Sequence, residues 1–118
     1  MITIDDFTKV ELKIGTVETV ESVEGSEKLY KFTINMGTEV RQVLGGYKIS
    51  YADPAMLIGK QVVVVANLQP RRFMLGSPEQ RAGGGFESNG MILAAHDEDG
   101  KPIYLTPASP VPAGSKIS

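Results

Sequence analysis

Two groups of residues in this 118-residue chain have the types and spacing to do chemistry. The first is His96 followed by Asp97, Glu98 and Asp99, where an imidazole beside carboxylates suggests a metal site or acid–base work. His96 is the one histidine and there is no cysteine, so neither a second imidazole nor a thiolate completes a transition-metal set. The run also falls where Asp99-Gly100 signals a hairpin turn, and it lacks the alternating acids and terminal Glu of a calcium loop. A solvated turn is the better reading. The same lone base leaves the serines without a nucleophilic triad. No Lys is followed by Ser or Thr, which excludes the usual phosphate loop, and Gly83-Gly84-Gly85 reads as a flexible connector, not a dinucleotide fingerprint. No catalytic residue, cofactor or metal is expected.

The second group is cationic. Twelve basic and fourteen acidic residues give a formal net charge of −2, yet the signs are segregated. Residues 1–39 hold eight acids and four bases, whereas residues 60–95 hold four bases and two acids. Those bases are Lys60, Arg71, Arg72 and Arg81, interleaved with Phe73, Met74 and Phe86. Guanidinium groups beside aromatic rings suit an unpaired nucleic acid: cations neutralise phosphates and a ring stacks a base for about 1 to 3 kcal/mol. Equally, Phe73 and Phe86 could plug a core and the arginines could be a solvated pair.

The elements that must position these residues are short strands. At this length one domain buries roughly two thirds of its unfolded surface. No purely apolar run exceeds five residues, far below the roughly twenty needed to span a membrane, and no basic leader precedes an apolar segment. A soluble, cytoplasmic, single domain over residues 1–118 is expected. Thr3 with Asp5 and Asp6 predicts a capped helical turn holding Phe7. A long first strand starts at Val10, and the slip in its apolar parity predicts that it is bent or bulged at Gly15. Leu29 to Met36 alternates cleanly, and Val40 to Leu44 follows. Asp53-Pro54 predicts the start of a short helix that Gly59 ends. Gln61 to Ala66 and Met91 to Ala95 are the fourth and fifth strands, and Ile103 to Leu105 continues after the Asp99-Gly100 turn. Three strands, a short helix and two strands predict an all-β, five-stranded OB-fold Greek-key barrel with a C-terminal extension at about 103–118. In such a barrel the connection between strands 4 and 5 and the faces of strands 2 and 3 usually receive single-stranded nucleic acid.

The wording of the chain adds to this. Ile4-Asp5-Asp6-Phe7, Lys9 to Gly15, Glu24-Gly25-Ser26-Glu27-Lys28-Leu29-Tyr30 and Arg41-Gln42-Val43-Leu44-Gly45-Gly46-Tyr47 come in order. Val65-Ala66-Asn67-Leu68-Gln69-Pro70-Arg71, Glu87-Ser88-Asn89-Gly90-Met91 and Pro112-Ala113-Gly114-Ser115-Lys116 follow. Together they resemble, over nearly the whole chain, the tRNA-binding domain at the C-terminus of bacterial methionyl-tRNA synthetases and of stand-alone tRNA-binding proteins. The resemblance implies a non-catalytic module that binds tRNA by shape and backbone, forms a homodimer and serves the catalytic part of such a synthetase. It carries the binding role onto Lys28, Asn67, Arg71, Ser88 and Met91, with Lys48 and Arg72 as basic neighbours. Some bacterial relatives built on this domain are chaperone-like export factors, which is the alternative. Two departures stand out: Ser77 to Gly85 lengthens the basic connection, and Gly45 replaces a frequent Ser. Either Arg81 restores a charge from the insertion or the longer loop makes another contact. The apolar Ile103 to Leu105 and the Pro-rich arm after it are the expected dimer contact.

Overall fold

Tyr30, Phe32, Ile34 and Met36 alternate with polar residues, and in the computed structural model, which describes residues 1–118, all four are buried. Their strand is β2 (Tyr30–Asn35), which pairs antiparallel with β1 (Leu12–Ser22) and β3 (Val40–Gly45). On its other edge β1 takes β4 (Gln61–Val65), whose Val62 and Val64 also point into the core. The fifth barrel strand comes in two pieces, β6 (Phe86–Ser88) and β7 (Met91–Ile92). β7 pairs with β4, and between the pieces the Asn89 N–H donates to the Gln42 carbonyl of β3 at 2.8 Å. The order β3-β2-β1-β4-β7 thus nearly closes into an antiparallel five-strand barrel of the OB type.

Packing supports the closure. Tyr30, Phe32 and Ile34 are almost fully buried, each contributing about 1.5 to 3 kcal/mol through lost apolar exposure. Phe32 meets Tyr30 and Tyr47 edge-on, with ring centroids 6.2 and 5.8 Å apart, a favoured aromatic geometry. The Asp53 carboxylate caps a 3-10 turn at Pro54–Met56 by accepting from the Ala55 N–H at 3.0 Å, and Leu57 just after it is 1% exposed. This short turn stands where a helix is expected. The capped N-terminal turn is α1 (Ile4–Thr8), with Thr3 and Asp6 bonding reciprocally.

Three details differ from the sequence expectation. The β1–β2 register slips between Val17 and Thr19, so Glu18 and not Gly15 marks the bulge. Gly15 faces the core, where a Cβ would collide with Ile34 and come within 2.8 Å of the Met36 sulfur; closeness, not a bulge, requires glycine there. The expected Met91–Ala95 strand divides at Leu93: β7 stays in the barrel while β8 (Ala94–His96) forms a hairpin with β9 (Pro102–Tyr104). The connection ahead of Gly83-Gly84-Gly85 contains a helix that the sequence expectation lacks, α2 (Pro78–Ala82), described below.

The C-terminal extension is integrated. Tyr104 packs on Tyr51 at 5.5 Å between centroids. Further on, β10 (Lys116–Ile117) pairs with Leu12–Lys13 on the edge of β1 that β2 leaves free. No helix is long and apolar enough to cross a membrane.

Candidate nucleic-acid interface

The connection between β4 and β7 begins at Asn67 and forms a two-stranded ribbon, β5 (Arg71–Phe73) against β6. Its register sets Arg71 opposite Ser88, Arg72 opposite Glu87 and Phe73 opposite Phe86. Pairing puts cations and rings side by side. The Arg71 guanidinium lies 4.5 Å from the Phe73 ring centroid, and the Lys31 ammonium of β2 lies 5.0 Å from that of Phe86. Such contacts stabilise by roughly 0.5 to 1 kcal/mol when exposed and hold the cation over an apolar plane. Phe73 and Phe86 are half-buried, between the plug and the free platform that composition leaves open.

Arg71 is exposed and has no carboxylate partner within 4.0 Å. Arg72 differs: Nη1 donates to the Gly84 carbonyl at 3.1 Å and Nη2 pairs with the Glu87 carboxylate at 3.3 Å. Both side chains of that pair are about half exposed, so solvent screening limits it to about 0 to 1 kcal/mol. Arg81 is exposed, and its Nη1 donates to the Gly76 carbonyl of its own loop at 2.9 Å. The connection from Ser77 to Gly85 is ordered by a Ser77–Gln80 capping box, and Arg81 keeps its charge while bonding within it.

Lys28 and Lys48 are brought together from separate turns, because the Lys48 N–H donates to the Lys28 carbonyl at 3.1 Å. Neither has an ion-pair partner, so two lysines without a carboxylate to compensate them stem from adjoining backbone at one end of the barrel. Ribbon and lysine pair are linked by the β1–β2 connection, where the Gly76 N–H donates to the Glu24 carbonyl at 3.0 Å.

The remaining sequence candidates have other surroundings. Asn67 is exposed, but its Oδ1 accepts from the Glu11 N–H at 2.8 Å and its Nδ2 donates to the Lys9 carbonyl at 2.7 Å. Ser88 is 4% exposed, its hydroxyl accepting from the Leu44 N–H at 2.9 Å. Both therefore have internal partners, and a ligand reaching for them competes with the fold. Met91 is 46% exposed on β7 and offers an adaptable apolar surface. Sequence reasoning missed Lys31, although strict alternation in β2 already puts it on the outer face. It is held there by Glu21 at 3.0 Å as well as by Phe86. His96 sits exposed in the β8–β9 hairpin, and Asp97 Oδ1 is taken up by the N–H groups of Asp99 and Lys101. No group of three or more His, Cys, Asp or Glu could hold a metal ion.

Fold and site define an OB-type barrel with a cationic, ring-backed ribbon beside its β2–β3 face. The family model described as "Putative tRNA binding domain" matches residues 12–116, and the chain belongs to that family. It is 45% identical over 117 residues to a methionine–tRNA ligase of Caldanaerobacter subterraneus subsp. tengcongensis, covering 99% of this chain and 16% of the relative. The chain thus spans about one sixth of the length of that enzyme. Among solved structures it resembles a MetRS related protein from Pyrococcus horikoshii, with TM-score 0.84 and 30% identity, covering 100% of this chain and 98% of that one. It also resembles the chaperone CsaA from Bacillus anthracis str. Ames, with TM-score 0.81 and 30% identity over 100% and 99% of the two chains.

Proposed function

We propose that this chain is a single module, residues 1–118, that binds tRNA through its sugar-phosphate backbone and shape, without an active site of its own. In this reading it serves aminoacylation in the cytoplasm, attached to or assisting the catalytic part of a methionyl-tRNA synthetase. It acts by raising the local concentration of tRNA. The observation that carries the proposal is the unpaired cation set Lys28, Lys48 and Arg71 on a chain of the tRNA-binding family. Arg72 and Met91 border the set, while Asn67 and Ser88 contribute by holding its supports. Homodimerisation belongs to the same reading and is supported by the exposed Ile103 and Leu105 beside the C-terminal extension. A monomeric mass at micromolar concentration removes it.

The test is tRNA binding across a salt series. Three or four phosphate contacts predict a log–log slope of about −2 to −4. A flat response, or no binding at low salt, removes the tRNA reading. The likeness to CsaA favours a second reading, a chaperone-like factor that takes unfolded polypeptide. Binding of a denatured client with no measurable affinity for tRNA selects that reading.

A further inference from the structure

The chain's insertion, Ser77 to Gly85, is tied into the ribbon by its two nearest arginines. Ser77 and Gln80 close a capping box at the start of α2, and the Gly85 N–H returns to the Gln80 carbonyl at 2.7 Å. Gly85 has φ +72°, and a Cβ there would run into the Phe73 carbonyl and within 2.9 Å of Met74 Cα. The two ribbon strands therefore meet with no room for a side chain. From one side Arg72 grips the Gly84 carbonyl and Glu87; from the other Arg81 grips the Gly76 carbonyl. Gly76 in turn donates its N–H to Glu24 in the β1–β2 connection, and a Cβ on it would crowd Phe86 Cε2 at 2.9 Å. The result is a continuous set of bonds from Glu87 through Arg72, Gly84 and α2 to Arg81, Gly76 and Glu24.

We infer that the Ser77–Gly85 segment is a splint holding the ribbon against the β1–β2 connection, with Arg72 and Arg81 as positioning residues and Arg71 as the ribbon arginine that meets phosphate. This rests on the tRNA-binding reading for the role of Arg71. Chemistry separates the three arginines. Arg72 is ion-paired with Glu87, and Arg81, though charged, commits its Nη1 to a carbonyl of its own loop, whereas Arg71 has no ion-pair partner and lies above an aromatic plane. A preformed ribbon loses less conformational freedom on binding than a Gly-rich connector that must be ordered by its ligand.

The test compares R71Q, R72Q, R81Q and R72K in the full chain, using unfractionated tRNA from about 50 to 200 mM KCl. R71Q should reduce the magnitude of the salt slope by about 0.7 to 0.9, the loss of one phosphate contact. R72Q and R81Q should lower affinity while leaving the slope at the wild-type value. R72K, which keeps the charge but cannot span Gly84 and Glu87, should behave as R72Q does. Amide hydrogen exchange reads the splint without RNA: Gly85 should exchange at least about tenfold faster in R72Q, and Gly76 likewise in R81Q. A slope lowered as much by R72Q as by R71Q, with rescue by R72K, assigns Arg72 to phosphate and overturns the division. Unchanged exchange at both glycines overturns the splint itself. If the wild-type chain binds no tRNA, the functional reading fails while the exchange experiment still decides the splint.

Discussion

Lys28 and Lys48 are joined through the backbone, the Lys48 N–H donating to the Lys28 carbonyl at 3.1 Å, so two lysine positions twenty apart in sequence are neighbours in the fold. Replacing both by Ala should lower tRNA affinity and reduce the salt slope by about 1.4 to 1.8, two phosphate contacts' worth. The backbone bond survives the substitution, so stability should stay within about 0.5 kcal/mol of wild type. Binding titrations at several salt concentrations, with a thermal melt as control, check this.

Asn67 should behave as a clamp. Asn67→Ala removes an acceptor for the Glu11 N–H and a donor to the Lys9 carbonyl, a loss of about 1 to 3 kcal/mol. Asn67→Asp keeps the acceptor and should fall between the two. Ser88→Ala should cost a similar amount, because it strips the Leu44 N–H of its buried partner. At roughly 4 °C in Tm for each kcal/mol, calorimetry resolves all three. Both side chains are neutral, so the Ala variants should keep the wild-type salt slope whatever their role; a loss of tRNA affinity with no change in Tm would make either residue a direct RNA contact.

Gly15→Ala should destabilise by about 1 to 3 kcal/mol, since the added methyl collides with Ile34 and approaches the Met36 sulfur in a packed core. Gly46→Ala is the matched control: nothing lies within 4 Å of its Cβ position and its φ is not positive, so it should change little. Urea midpoints of the two variants test the contrast.

Alkaline pH should unfold the barrel. Burial, with Tyr51 adding a smaller effect, pushes the Tyr47 phenol far above its usual range, and its hydroxyl donates to the Ile92 carbonyl at 3.0 Å. Burial first, then the Asp53 carboxylate, also raises Tyr30. In the unfolded chain both phenols ionise near about pH 10, while the folded ones stay protonated to higher pH. The unfolded state therefore holds fewer protons above that point, and stability is full below about pH 10 and falls as pH rises beyond it. Tyr47→Phe should lower stability by about 1 kcal/mol at neutral pH but flatten the alkaline decline. Urea midpoints from about pH 7 to pH 11 measure both effects; a decline equally steep in Tyr47→Phe would remove Tyr47 as its source.

Much of the barrel was legible because its signals are local. Alternation from Tyr30 to Met36 names one buried face, and Asp53-Pro54 marks a cap whatever surrounds it. The β1 bulge was misassigned because a glycine beside a parity slip has two physical explanations, and only the position of Ile34 distinguishes them. In the loop between the ribbon strands, three consecutive glycines draw the reading toward a connector and away from the Ser77-x-x-Gln80 capping signal just before them. The candidate site was legible where it is contiguous, as with Arg71 and Phe73. It was not legible where pairing depends on chain return: nothing in the spacing of Lys28 and Lys48 announces their contact. Likewise the partners of Asn67 and Ser88 lie 56 and 44 positions away.

The pairing of β10 with β1 ties Leu12 to Ile117. A contact that spans nearly the whole chain is entropically late to form and favours slow folding. On a translating ribosome this edge of β1 stays unpaired until β10 has emerged from the exit tunnel. Shielding of that edge from neighbouring nascent chains thus depends on the timing of synthesis, and the short segment around Lys116 and Ile117, made about a hundred residues after its partner, governs it.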